Sequence, residues 1–205
     1  MNFRASALCG IPHRGVARAL PLLLVAAVAA LPQRLSFGVK AGVPFSDLMK
    51  SESWKGLRYR PDSGRYTVGP VIELLVGRLS VEFDALYRPL RYRTELGSTV
   101  STEAGSAWQF PLLGKIRLSR HLVAPYLAGG VAFNRLSGLK SLPELSHSSA
   151  GGWVLGLGLE GRLPIVRLSP ELRYTNWRKD NLSAPAGGPS LSNRNQIEAL
   201  VGITF

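Results

Sequence analysis

The chain has 205 residues, a formal charge of +12 and a single cysteine, Cys9. That length suits one domain, with or without a leader, and one thiol excludes an internal disulfide framework. The basic balance points to nucleic acid or an anionic surface, but no helix-turn-helix pattern, zinc spacing or basic helix accompanies it, so no nucleic-acid partner is expected.

Residues 1–30 read as a secretory signal peptide. Arg4, Arg14 and Arg18 precede an apolar run over residues 19–30, and that run is shorter than the ~20 residues a transmembrane helix needs. It ends in small residues, with Val28 and Ala30 suited to the −3 and −1 cleavage positions. Cys9 precedes the run, so a lipoprotein cleavage box is not expected. The mature chain, residues 31–205, then has no thiol and a charge near +9 (12 − 3).

From Leu35 onward, segments of alternating hydrophobicity recur at the length of about ten residues that a tilted strand needs to cross a bilayer. Eight are expected: residues 35–45, 66–76, 79–87, 108–118, 123–133, 153–161, 166–174 and 197–205. One parity of each is apolar, as in Leu35, Phe37, Val39, Ala41, Val43 and Phe45 of the first. No helix is expected after the leader. Pro70, Pro111, Pro125 and Pro170 fall inside these segments, where each removes a ladder donor that a closed sheet cannot hide at an edge.

The connections alternate in length. Gly77-Arg78, Ser119-Arg120-His121 and residues 162–165 make short turns, whereas residues 46–65, 90–107, 134–152 and 175–196 read as long loops. Short turns on one rim, long loops on the other and both termini on the short-turn side form the arrangement of an up-and-down barrel. The loops carry surplus cations: Lys50, Lys55, Arg58, Arg60, Arg65, Arg91, Arg93, Arg178 and Lys179.

The second parity carries the charges. Lys40, Arg88, Lys115, Arg117, Arg167 and Arg173 stand against Glu73, Glu82, Asp84, Glu160, Glu171 and Glu198, six cations to six anions. Charges inside a narrow bore must be paired or hydrated, so these twelve are expected to form an internal network. Phe45, Tyr66, Tyr87, Trp108, Phe133, Trp153 and Tyr174 share the apolar parity and fall at the long-loop ends, as an interfacial girdle does. Trp177 breaks that parity and reads as a loop residue. The last segment runs from Ile197 to Phe205 with Ile197, Ala199, Val201, Ile203 and Phe205 on one face.

This pattern, with the terminal Phe205 and the stretch Pro125-Tyr126-Leu127-Ala128-Gly129-Gly130-Val131-Ala132-Phe133, resembles the small outer-membrane β-barrel families of Gram-negative bacteria, the OmpA/OmpX-like and PorT-like proteins. The resemblance spans residues 31–205. It implies an all-β, eight-stranded antiparallel transmembrane barrel in the cell outer membrane, with Phe205 completing the signal read by the barrel-assembly machinery. It carries over no catalytic motif.

Loop display in contact with outer-membrane lipid, lipopolysaccharide or an unidentified loop-binding partner is the expected role. The alternatives are a small pore, a lipid A-modifying enzyme and a soluble lipocalin-like barrel. A pore is disfavoured because eight strands leave a bore that side chains fill. For an enzyme, His121 falls at the short-turn rim, and His147-Ser148-Ser149 with Glu144 reads as a polar loop. Glu82 and Asp84 read as ion-pair partners of inward arginines. No cofactor and no metal site are expected.

Overall fold

The computed structural model describes residues 33–46, 52–54, 57–61, 66–96, 99–137, 149–179 and 193–205. The expected leader lies outside the described residues. In chain order the β-segments are β1 (Gln33–Pro44), β2 (Glu52–Trp54), β3 (Leu57–Pro61), β4 (Thr67–Val76), β5 (Leu79–Asp84), β6 (Leu86–Leu96), β7 (Thr99–Arg117), β8 (Val123–Ser137), β9 (Ser149–Arg162), β10 (Arg167–Trp177) and β11 (Asn195–Thr204). No helix occurs among the described residues.

Eight strands make a closed wall: β1, β4, β5 continued by β6, then β7 to β11. Each pairs antiparallel with its sequence neighbour, and β1 pairs with both β4 and β11, which closes the ring. Closure removes the sheet edges that would otherwise need protection. Short turns such as Gly77-Arg78 join the strands at one rim; Gly77 adopts φ +64°, a left-handed conformation that glycine reaches without steric cost.

Alternation decides the two faces. Odd positions of β1 and β11 point outward, so Leu35, Phe37, Val39, Ile197, Val201 and Ile203 are exposed, while Lys40, Leu200 and Glu198 on the other parity are buried. The same inversion holds around the wall, from Ile72 and Phe83 to Leu112, Leu127, Leu155 and Leu172 outside. Greasy side chains stand outside and ionic ones inside, the reverse of a soluble domain.

Two of the in-strand prolines explain why β5 and β6 are separate. β5 and β6 hold one register against β7, with Phe83 opposite Leu112 and Leu86 opposite Gln109, and the ladder lapses where Asp84 would meet Pro111 and Ala85 would meet Phe110. On the other side Ala85 donates its N–H to Pro70 O at 3.0 Å, but Pro70 has no N–H to return. Missing donors on both flanks therefore interrupt the strand at Ala85 without shifting it. Pro170 acts alike: β10 pairs with β9 through Leu168–Gly161 and Glu171–Gly158, in one register across an unpaired gap. Pro125 sits at the end of the ladder with β7, where its carbonyl accepts from Leu118 N at 2.8 Å. The cost falls on single bonds and leaves the register intact.

Residues 90–107, expected as a long loop, are largely strand. β6 and β7 stay paired out to Leu96–Thr99, and β3 and β2 add to the outer side of β6. A four-stranded wall thus rises beyond the barrel on one side. The expectation failed because strands that extend beyond the closed ring lack the ring's continuous apolar outer face, so their sequence lacks the alternation used to find the others. Trp177 is the second correction. It closes β10, faces inward and is 1% exposed.

Candidate functional site in the bore and at the rims

The bore is built in layers, because inward positions of neighbouring strands fall at matching heights. Nearest the short turns, Arg117 on β7 donates from Nε to Glu160 Oε2 at 2.8 Å and from Nη2 to Glu73 Oε1 at 2.7 Å. Ser80 Oγ donates to Glu73 Oε1 at 2.5 Å. Arg167 Nη1 lies 3.1 Å from Glu73 Oε2, and Arg162 Nε lies 3.1 Å from Glu160 Oε1.

The middle layer is the densest. Lys40 Nζ reaches Glu82 Oε1 at 2.5 Å, Glu171 Oε2 at 3.3 Å and Asp84 Oδ2 at 3.4 Å. Arg173 donates from Nε to Glu171 Oε1 at 2.7 Å and from Nη1 to Asp84 Oδ2 at 2.8 Å, with Nη2 3.4 Å from Glu82 Oε1. Lys115 Nζ holds Glu82 Oε2 at 2.7 Å and stands 4.4 Å from the centroid of the Tyr126 ring. Tyr126 OH donates to Glu171 Oε2 at 3.0 Å. Three cations meet three carboxylates from four strands, a mutual satisfaction that offsets the cost of taking each charge out of water.

Toward the long-loop end the chemistry changes. Leu86, Leu90, Ala107, Leu136, Val154 and Trp177 are buried there. The pair of Arg88 and Glu198 is looser, with Arg88 Nη1 at 3.7 Å from Glu198 Oε1, and Arg88 Nη2 donating to Ser46 O at 3.1 Å. Of the twelve charged residues assigned to the interior from sequence, eleven are buried. Arg167 retains 15% side-chain exposure at the short-turn mouth.

The outer surface carries the aromatic ring. Phe45, Tyr66, Trp108, Phe133 and Trp153 are exposed, and Tyr87 and Tyr174 are half-buried against neighbours on the same face. Tyr87 meets Trp108 edge-on with centroids 5.3 Å apart, and Trp153 lies 5.2 Å from Tyr174. Past this ring, Arg91, Arg135, Arg178 and Lys179 are exposed. Lys50, Lys55, Arg65, Glu144, His147 and Ser148 lie outside the described residues; Arg58 and Arg60 are on β3 and Arg93 is on β6. At the opposite rim Phe205 is exposed, and its main-chain oxygen accepts from Ser36 Oγ.

Catalytic groups do not converge on either rim among the described residues. His121 is exposed in a short turn, where its N–H takes Ser119 Oγ as acceptor at 3.1 Å. No group of three or more His, Cys, Asp or Glu side chains suited to a metal occurs among the described residues. Sequence reasoning missed Arg162 as a member of the short-turn layer. Its position just beyond Gly161 was assigned to the turn; β9 instead runs on through Arg162, which places it two residues from Glu160 on the same face of the strand, and the pairing of β9 with β10 sets it opposite Arg167.

No family model matches the chain, and no curated protein matches it. Among solved structures, Neisserial surface protein A (NspA) superposes with a TM-score of 0.53 at 14% identity, over 84% of this chain and 97% of that one. Ail, the attachment invasion locus protein of Yersinia pestis, matches 84% of this chain and 95% of its own at 13% identity, with a TM-score of 0.37. The likeness to NspA is one of fold, and with the strand pairing it establishes a closed, antiparallel, eight-stranded β-barrel.

Proposed function

We propose that the chain is an integral outer-membrane β-barrel whose bore is plugged by side chains and whose role is exercised at its rims. The observation that carries this is the inverted wall: apolar side chains on the outside of all eight strands, with the charged ones buried within. Outward positions from Leu35 to Phe45 span ten steps along β1 and the residue that follows it. At ~3.3 Å per residue and ~40° tilt that is ~25 Å, the height of the apolar band of such barrels. The aromatic ring at its upper limit fits a membrane–water boundary, and the NspA-like fold supports the same reading.

The plug follows from filling. Trp177, Leu86, Leu90, Arg88, Arg117, Arg173 and Tyr126 are all less than 2% exposed inside a ring of eight strands. Conduction of ions is therefore disfavoured, and so is chemistry on a substrate within the bore. Beyond the aromatic ring, the exposed Arg91, Arg135, Arg178 and Lys179 suit contact with lipopolysaccharide phosphates or an acidic loop-binding partner. Residues 1–30 serve as the export signal, and Phe205 completes the segment recognised by the assembly machinery.

Fractionation tests the location: the protein is expected in carbonate-washed outer membranes, and unheated samples are expected to migrate differently from boiled ones. Recovery as a soluble periplasmic monomer would leave the lipocalin-like barrel as the better reading. Planar-bilayer recording tests the plug, where steady conductance from refolded protein overturns it. Deleting Phe205 is expected to slow insertion and leave precursor in the periplasm; unchanged assembly kinetics would remove that role.

A further inference from the structure

At the short-turn rim a cavity of about 670 Å³ opens between the last turns of the wall. It straddles the lip, with Arg162 and Arg167 from the bore side and Leu35, Leu163, Ile165 and Phe205 from the outer side. Ile165 is 82% exposed and Leu163 57%, so the turn presents bare aliphatic surface where the wall ends. Pro164, between them, narrows the conformations that turn can adopt. Guanidinium on one side and aliphatic surface on the other make the cavity amphipathic.

Charge singles out this layer. Counting side chains, the middle layer is balanced, Lys40, Lys115 and Arg173 against Glu82, Asp84 and Glu171. The short-turn layer has Arg117, Arg162 and Arg167 against only Glu73 and Glu160, one cation in excess. Arg117 is spent on both carboxylates with well-aligned bonds. Arg167 is not: neither Nη1 nor Nη2 has an aligned hydrogen-bond acceptor, although Nη1 lies near Glu73. The Phe205 main-chain oxygen on the lip is already engaged by Ser36 Oγ.

From this we infer that the short-turn mouth is a binding site for a membrane glycerophospholipid. Its phosphodiester is held between Arg162 and Arg167, and its acyl chains lie over Leu35, Leu163, Ile165 and Phe205. Guanidinium groups favour phosphate because two parallel N–H donors match two phosphate oxygens. The aliphatic half of the cavity selects a lipid over free phosphate, since inorganic phosphate would leave that surface against water. The site rests on the membrane reading above, and it belongs to the leaflet on the short-turn side, away from the basic outer rim.

Native mass spectrometry of the refolded full chain in detergent, with phosphatidylglycerol as the probe, tests the assignment. Wild type is expected to retain phosphatidylglycerol and to lose it about tenfold more readily as the R162Q/R167Q variant, the loss expected from removing charge-assisted hydrogen bonds. R78Q/R120Q removes two exposed cations of the same rim that do not line the cavity and is expected to retain lipid like wild type. Diacylglycerol, which lacks the phosphate, is expected to be lost from all three proteins. Equal retention by wild type and R162Q/R167Q, or equal loss from R78Q/R120Q, overturns the site. Displacement of the lipid by millimolar inorganic phosphate overturns the lipid as ligand and leaves a simple anion site.

Should R162Q/R167Q fail to refold, I165W keeps the arginines. Its added fluorescence is then expected to be quenched more by brominated phosphatidylglycerol than by brominated diacylglycerol at equal mole fraction, and equal quenching overturns the site. Heat-modifiable migration of wild type in vesicles separates the two claims. If wild type inserts but shows no selective retention, only the lipid site falls. If it stays soluble without detergent, the membrane reading falls and takes the site with it.

Discussion

The two halves of the bore follow one rule of alternation and hold opposite chemistry. Toward the short turns many inward positions are ionic, and the bonds of Lys40, Lys115, Arg117 and Arg173 to their best partners are 2.5–2.7 Å long. Toward the long loops the inward positions mix apolar side chains with uncharged polar ones such as Thr67, Gln109, Asn134, Thr175 and Gln196, and the Arg88–Glu198 ion pair measures 3.7 Å. Trp177 Nε1 and Asn134 Nδ2 in that half have no hydrogen-bond acceptor among the described residues. A bore can thus be filled in two ways. Ionic filling is directional and fails badly when one partner is lost, whereas apolar filling tolerates small mismatches and costs stability in proportion to the volume removed.

The largest effect is expected from Arg173→Leu. It strands Glu82, Asp84 and Glu171 beside too few cations, and a loss near 5 kcal/mol is expected from an uncompensated buried charge. Urea unfolding followed by fluorescence, in lipid vesicles, measures it; a loss under about 1 kcal/mol would mean that the ionic half is hydrated and soft. Trp177→Ala comes next, with about 3 kcal/mol expected from an emptied apolar site. It is also expected to leave the bore closed to ions, because the charge layers lie beneath it. Steady conductance of that variant would locate the plug in the outer half.

Gly158→Ala is expected to cost about 2 kcal/mol through overpacking, since a Cβ there would stand 2.5 Å from both Pro170 O and Tyr126 Cζ. The same substitution at Gly114, where the nearest atom would be Gly129 O at 3.8 Å, is expected to fall within about 0.5 kcal/mol. Smallest of the interior changes is the double replacement Arg88→Met with Glu198→Met. Removing both partners of a loose buried pair together is expected to shift stability by less than about 1 kcal/mol. A loss as large as that of Arg173→Leu would show the two halves to be energetically alike, and the contrast drawn from their geometry would fail.

Much of this architecture was readable from residue order. The wall strands sit where alternation placed them, and every outward residue named for β1, from Leu35 to Phe45, is outside. Alternation is legible because the outer face of the ring is apolar at nearly every second position. The outer wall of β2, β3 and the ends of β6 and β7 was not legible, since strands beyond the closed ring carry no such signature. Trp177 misled for a related reason: near the long-loop end the bore itself turns apolar, so an inward aromatic resembles a parity error.

Sequence by itself determined which face of each strand is which, and hence that twelve charges of balanced sign share one side. That follows from local geometry, because a period of two needs no knowledge of neighbours. Tertiary structure alone decided which charges meet. Lys40 joins Glu82, Asp84 and Glu171 across separations of 42, 44 and 131 residues, and only the register of the closed ring fixes those distances. It also decided how the prolines are borne, since a missing donor matters only through the strand it faces. The excess cation at the short-turn mouth arises the same way: Arg162 and Arg167 lie at the ends of β9 and β10, and pairing of those strands brings them side by side.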